Sequence, residues 1–432
     1  MNYVEYPKPE HWRSLLKRPA ADVAELEPSV RPILQEVKSR GDAALREYSR
    51  RFDKAELDDF LVSEKEFAQA EKHLSLELRE SILLAKNNIE RFHHSQHVGV
   101  SKVETLPGVS CWRKNIPVEK VGLYIPGGTA PLFSTILMLA VPAKLAGCSE
   151  IILCTPPGQK DAFGIGDVSV HPAILYAAKV CGVHKVFRIG GAQAIAAMAY
   201  GTETVPQVYK IFGPGNAWVT CAKQLLTREG IAIDLPAGPS ELAIYADETT
   251  PASFVAADLL SQAEHGPDSQ VVVVSKSASV LHAIREETKM QLQQLPRKEI
   301  AAKALVQSHA ILVHDEDEAM RLLNAYAPEH LILACANAET LAEKVINAGS
   351  VFIGPWSPES AGDYASGTNH TLPTNGYAKA WSGVSLDSFV KKVTFQQLTR
   401  DGLQRIGSAV ETMADAEGLF AHKNAVTIRL NS

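Results

Sequence analysis

The sequence predicts an α/β protein with two similar Rossmann-like parallel-sheet domains, a helical N-terminal arm and a helical C-terminal tail. Three observations predict it. Short, wholly apolar runs alternate with helical patterns in two separate sets, as buried parallel strands do. In the first set most runs end in glycine. The chain, at 432 residues, is too long for one ordinary core.

Residues 1–25 read as a short polar arm without clear periodicity. From Pro32 to about His97 apolar residues recur every three or four positions, and Ser63 with Glu66 forms an S-x-x-E cap before the second helix. Between Val103 and Val118 lie short β-like pieces around VSCWRKNIPV. The first alternating set follows: VGLYIPGG, EIILCTPP, KVFRIGG, VYKIFGPG and IAIDLPAGPSE. All but one of these strand ends carry glycine, which opens the backbone to a nucleotide or other phosphate-bearing ligand at the carboxyl edge. The same glycines also serve simple tight turns. The Gly- and Asp-rich stretch between Cys154 and His171 reads as a surface excursion. The second set is SQVVVVSK, HAILVHD, HLILACA and AGSVFIG, and helical patterns return after about Gly376.

Composition excludes several classes. Hydrophobic residues make up 46% and charged residues 21%, with a net charge of -6 and no basic run, which argues against a nucleic-acid partner. The N-terminus lacks the basic and apolar regions of a signal peptide, and no apolar run is long enough for a membrane span. Six scattered cysteines without a C-x-x-C pair fit a reducing, cytoplasmic compartment.

Candidate chemistry sits in a few stretches. Phe254, Ala257, Leu260 and Ala263 form a helical stripe that stops near Gly266-Pro267. Gln262 and His265 then share one helix face, and an amide oxygen beside an imidazole offers two ligands to a divalent metal. Such a pair also arises by chance. Gly213 to Trp218 begins like a dinucleotide fingerprint but ends in Trp, with Asp234 about where a ribose-binding acid is expected. In Ala327-Pro328-Glu329-His330-Leu331 the proline ends a helix, leaving a carboxylate and an imidazole side by side at a junction. That pair can move protons or be a solvated turn. PWSPESAGDYASGTNH has no helical or strand period and reads as a binding loop carrying Asp363 and His370. His93, His94 and His97 lie at the polar end of a helix with no carboxylate framing them.

Taken together, VGLYIPGGTAPLFSTILMLAVPAKLAG, IGGAQAIAAMAYGT, KIFGPGN, IDLPAGPSE, DLLSQAEHGPDSQ, APEHL, SPESAGDYASGTNH and AHKNAV resemble histidinol dehydrogenases, from about residue 30 onward. The resemblance implies oxidation of L-histidinol to L-histidine through L-histidinaldehyde, with two NAD+ and one zinc per subunit. It places the zinc on Gln262, His265, Asp363 and His422, and proton transfer on Glu329 and His330. Ser240, His370 and Glu417 fall on substrate-contacting positions, along with Gln262, His265, His330, Asp363 and His422. Tyr124, Gln193 and Asn216 fall on NAD positions. It implies a homodimer in which the tail completes the partner's site. Residues 121–237 then form the NAD domain, 26–120 with 238–376 the substrate and zinc domain, and 377–432 the tail. A related zinc, NAD-dependent dehydrogenase for another small alcohol, or a non-catalytic metal or nucleotide binder, are the competing readings. The ligand types alone suit manganese or cobalt as well as zinc.

Overall fold

The computed structural model describes residues 1–19, 23–127, 131–158, 170–236 and 238–432. It contains two parallel sheets and one small antiparallel sheet among the described residues. The first parallel sheet has the order Lys185–Arg188, Glu150–Thr155, Lys120–Tyr124, Lys210–Phe212, Ala232–Ile233. The apolar runs of the first set form these strands. Successive residues feed opposite faces: Val121, Leu123, Ile151 and Leu153 enter one core, Tyr124, Ile152, Cys154 and Ile211 the other. Burial of both faces explains why the runs are apolar throughout rather than alternating. The order reverses between Lys120–Tyr124 and Lys210–Phe212, and a cavity opens at the carboxyl ends there. Gly213 is needed at this edge for packing: its φ is 124°, and a Cβ would drive into the Tyr124 carbonyl.

The second parallel sheet has six strands in the order Asn2–Glu5, His309–Leu312, Gln270–Ser275, Glu241–Ala246, His330–Ala334, Ser350–Ile353. Two of these are not legible as strands in the sequence. The N-terminal arm is no free polar segment: Tyr3 and Val4 pair with Ala310 and Ile311 at the sheet edge, and a helix, Pro9–Leu15, follows. Glu241–Ala246, hidden behind the Gly/Pro-rich end of the first set, is a central strand whose six residues are all buried.

The helices Val23–Arg40, Asp42–Tyr48, Glu64–Lys72 and Leu76–His94 pack against the helices that cover the five-stranded sheet. Val30, Leu34 and Leu45 join one of its cores, Phe67, Ile82 and Ile89 the other. The helical part of the stretch 26–120, expected with the other half, thus joins the cores of this one: helical periodicity shows that an apolar face exists, not which sheet receives it. Ser63 and Glu66 make the expected reciprocal cap. His93 is fully buried, not a polar helix end, with Nδ1–H donating to the Ile89 carbonyl at 2.9 Å.

The antiparallel sheet joins Lys102–Leu106 and Val109–Pro117 to Val390–Leu398, a strand in the region expected to be helical. Helices Arg400–Ala416 and Phe420–Leu430 follow and pack on each other. The latter buries no residue within the single chain, and Met413 and Phe420 are 65% and 67% exposed. The core of the Cys154–His171 excursion, 159–169, lies outside the described residues, as do Gly128, Thr129 and Ala130 of the first glycine-bearing strand end. Among the described residues no helix is long and apolar enough to cross a membrane.

Candidate active site

Glu329 and His330 stand where the sequence places the junction. Helix Glu316–Tyr326 ends on Ala327, whose φ of 52° is left-handed, and Pro328 blocks continuation. His330 opens the next strand, so the pair sits at the amino ends of the six-stranded sheet. Ser240 precedes strand Glu241–Ala246 at the same edge, and helix Ala252–Ala263 runs back to deliver Gln262 and His265 there. The expectation of a carboxyl-edge crevice thus holds for the five-stranded sheet and not for this one. Two-sided apolar runs look the same from either end.

Both members of the pair are buried, at 6% and 4% exposure. His330 donates from Nδ1 to the Glu241 carbonyl at 3.3 Å. Its ring is surrounded by carboxylates: Glu329 Oε2 and Glu359 Oε1 each lie 3.7 Å from Nδ1, and Asp363 Oδ1 lies 3.6 Å from Nε2. Burial opposes charge on this imidazole, but Glu359, Glu329 and Asp363 outweigh it and push its pKa up to about 10. Burial raises Glu329 to about 8, against the pull of His330. Glu329 Oε2 accepts from the Glu241 N–H at 2.9 Å.

The segment expected to be an unstructured binding loop contains a short helix, Glu359–Tyr364. Four residues apart, Glu359 and Asp363 project together. That spacing was the available signal for Glu359, which sequence reasoning missed. Donor atoms of His265, Glu359 and Asp363 all lie within 4.8 Å of one another. With the Gln262 amide turned so that both its atoms meet partners, its oxygen accepts from the Glu241 N–H at 3.0 Å and its nitrogen donates to Glu359. Burial pushes the Glu359 carboxyl well up, while burial is outweighed at Asp363, where the His330 contact holds the carboxyl down. The His265 ring, crowded although partly facing solvent, is kept below its usual value by burial. A neutral imidazole, an amide oxygen and a surplus of buried carboxylates form a donor set that fits a divalent cation.

His370 links the halves. It donates from Nδ1 to the Asp363 carbonyl at 2.9 Å, and Nε2 faces the Thr135 hydroxyl at 3.1 Å, on helix Phe133–Ala146 of the five-stranded half. Behind the site Arg18 binds Glu241 through two hydrogen bonds of 2.7 Å, a contribution of the arm with no sequence signal. Glu417 and His422 are exposed on the tail, and within one chain His422 is not among the grouped donors.

Tyr124, Gln193 and Asn216 line the cavity at the carboxyl edge of the five-stranded sheet, whose volume is about 740 Å³. The Tyr124 hydroxyl accepts from Gly191 N–H at 3.0 Å, and Asn216 caps helix Ala217–Thr227. Asp234 is not at the cavity. It is buried in an ion pair with Lys223 and accepts from Gly213 N–H at 2.7 Å, which removes it as a ribose ligand.

A family model described as histidinol dehydrogenase matches residues 16–430. A histidinol dehydrogenase of Bacteroides thetaiotaomicron is 59% identical over 432 residues, spanning 100% of this chain and 99% of its own. One of Escherichia coli (strain K12) is 51% identical over 426 residues, spanning 98% and 96%. The crystal structure of histidinol dehydrogenase from Elizabethkingia anophelis superposes with a TM-score of 0.96 at 51% identity, covering 100% of this chain and 98% of that one. Matched in sequence and architecture over essentially its whole length, the chain belongs to the histidinol dehydrogenase family, the oxidoreductases of histidine biosynthesis.

Proposed function

We propose that the protein carries out the zinc-dependent, four-electron oxidation of L-histidinol to L-histidine through L-histidinaldehyde, consuming two NAD+. The observation that carries this reading is the convergence on His330 of Glu329, Glu359 and Asp363, beside His265. A zinc held by Gln262, His265 and Asp363 would supply a fixed positive centre for the substrate's amino and imidazole nitrogens, and NAD+ would supply the electron acceptor. The same positive centre would offset the carboxylates that raise the His330 pKa.

His330 takes the hydroxyl proton as hydride leaves the carbinol carbon. Glu329 takes a proton from the water that hydrates the aldehyde, and burial makes its ionised carboxylate a stronger base than an ordinary one. His330 takes the hydrate's proton in the second oxidation. Ser240 and His370 border the substrate. Mixing the protein with zinc, L-histidinol and excess NAD+ and following absorbance tests the reading: two NADH should form per histidinol consumed, and one or none would overturn it.

The division of labour has its own check. Glu329→Gln should slow aldehyde oxidation about 10²-fold or more while alcohol oxidation falls much less. Equal losses in the two half-reactions would contradict it.

We also propose a homodimer whose tail places His422 and Glu417 in the partner's site, His422 completing the metal shell. The apolar tail side chains left unburied by the single chain, Met413, Phe420 and Ile428 among them, support it. Inactive His422→Asn and His330→Asn proteins, allowed to exchange subunits, should regain activity. Proven heterodimers without activity would confine the site to one chain. A cytoplasmic enzyme fits six cysteines of which none is joined in a disulfide.

A further inference from the structure

His370 rides on a loop that leaves the short helix Glu359–Tyr364, and its residues, ASGTNHT from Ala365 to Thr371, have no period to fix their shape. The shape comes from what the loop docks on, which is two helices of the five-stranded half. Asn88, on helix Leu76–His94, donates from Nδ2 to the Ala365 carbonyl at 2.8 Å. Gly367 lies against the same helix: its φ is 115°, and a Cβ would stand 2.8 Å from the Asn88 carbonyl oxygen. Asn369, 6% exposed, reaches deepest. Its Nδ2 donates to the Met138 carbonyl at 2.6 Å and meets His93 Nε2 at 3.4 Å, while its Oδ1 accepts from Thr371 N–H at 3.0 Å.

The Met138 carbonyl is available for a reason written in the sequence. A carbonyl inside an α-helix ordinarily accepts from the N–H four residues on. Four residues after Met138 stands Pro142, inside the same helix Phe133–Ala146, and proline has no N–H to give. Met138 is fully buried, so its carbonyl needs a partner from elsewhere in the fold. Asn369 supplies it. The second N–H of the amide points at His93, whose Nδ1–H is committed to the Ile89 carbonyl at 2.9 Å, leaving Nε2 as an acceptor. Burial lowers the His93 pKa and so keeps that nitrogen free of a proton. Of the three histidines in RFHHSQH, this one is thus part of a loop anchor and not of a metal site.

The anchor stands next to the site. Asn369 and His370 are consecutive and grip one helix a turn apart, Asn369 at Met138 and His370 at the Thr135 hydroxyl, 3.1 Å from Nε2. His370 Nδ1–H in turn holds the Asp363 carbonyl at 2.9 Å. We propose that Asn369, docked on the carbonyl that Pro142 frees and on His93, is a positioning residue that sets the His370 ring and the Asp363 backbone against the substrate, and thereby governs binding of L-histidinol. It acts from the five-stranded half on chemistry gathered at the six-stranded one. The inference rests on the histidinol reading above.

The test is steady-state kinetics of the zinc-loaded, full-length protein at saturating NAD+, read beside thermal melting. Asn369→Ala leaves a buried carbonyl unpaired and should lower Tm by about 2–5 °C. It should raise KM for L-histidinol about tenfold or more with a much smaller change in kcat, because Glu329 and His330 are untouched. Pro142→Ala returns an N–H to the Met138 carbonyl and by itself should leave KM within about twofold of wild type. The double variant, Pro142→Ala with Asn369→Ala, separates the two roles. The helix then satisfies its own carbonyl, so melting should recover most of the way while KM stays high. If Asn369→Ala alone does not fold, the double variant compared with Pro142→Ala gives the same reading. A KM that returns to wild type together with Tm, or one that never moves, would reduce Asn369 to a plug for that carbonyl and overturn the proposal. A wild type that does not oxidise L-histidinol would overturn the histidinol reading and this inference with it, whereas an active wild type with an unmoved variant KM overturns the role of Asn369 alone.

Discussion

His330→Asn is expected to lower turnover of both L-histidinol and L-histidinaldehyde by about 10²–10⁴-fold, the usual contribution of a positioned general base. The reason lies in the ring's surroundings. Among the described residues no other imidazole meets Glu329, Glu359 and Asp363 together. Asparagine retains a donor for the Glu241 carbonyl, which His330 contacts at 3.3 Å, but it cannot accept a proton near neutrality. The loss should therefore fall on kcat in both half-reactions, with a smaller effect on KM. That distinguishes it from Glu329→Gln, whose effect is expected mainly in the second half-reaction. A His330→Asn enzyme retaining kcat within tenfold of wild type for either substrate would remove this residue from the chemistry.

Arg18→Met should produce the largest loss of stability. The guanidinium donates twice to Glu241 at 2.7 Å and once to the Tyr326 carbonyl at 2.6 Å, and it lies 4.0 Å over the Tyr326 ring. The Glu241 side chain is 2% exposed. Methionine fills much of the same space but leaves that carboxylate buried and unpaired, which costs about 3–5 kcal/mol in such pairs. Activity should fall too, because the Glu241 N–H holds Glu329 at 2.9 Å and its carbonyl holds His330. Removing both charges, as in Arg18→Met with Glu241→Gln, should recover part of the loss. Denaturant unfolding of the single and double variants measures the coupling. Additive losses would mean that the arm contributes packing only.

The arm and the loop before the tail show where reading from sequence stops. Helix ends, caps and strands that bury both faces depend on nearest neighbours, so Ser63 with Glu66, the Pro328 stop and the strands of both alternating sets are visible in the residues themselves. A strand such as Asn2–Glu5 is made by its partner His309–Leu312, some three hundred residues away, and local pattern carries no trace of that. The helix Glu359–Tyr364 is too short for a hydrophobic period to announce it, so the four-residue spacing of Glu359 and Asp363 becomes readable only once the segment is known to be helical.

What the sequence determined by itself was the class of sheet, the two alternating sets, the place of the Glu329-His330 dipeptide at a helix–strand junction and the pairing of Gln262 with His265 on one helical face. These rest on periodicity and on the fixed conformational limits of proline and glycine. Tertiary structure decided which strands meet and at which edge the chemistry gathers. It decided that Glu359 and Arg18 stand beside Glu329 and His330, and that Asp234 is held by Lys223 away from the cavity. The physical reason is that burial and electrostatic partnership are properties of what surrounds a side chain, and its surroundings come from every part of the folded polymer at once.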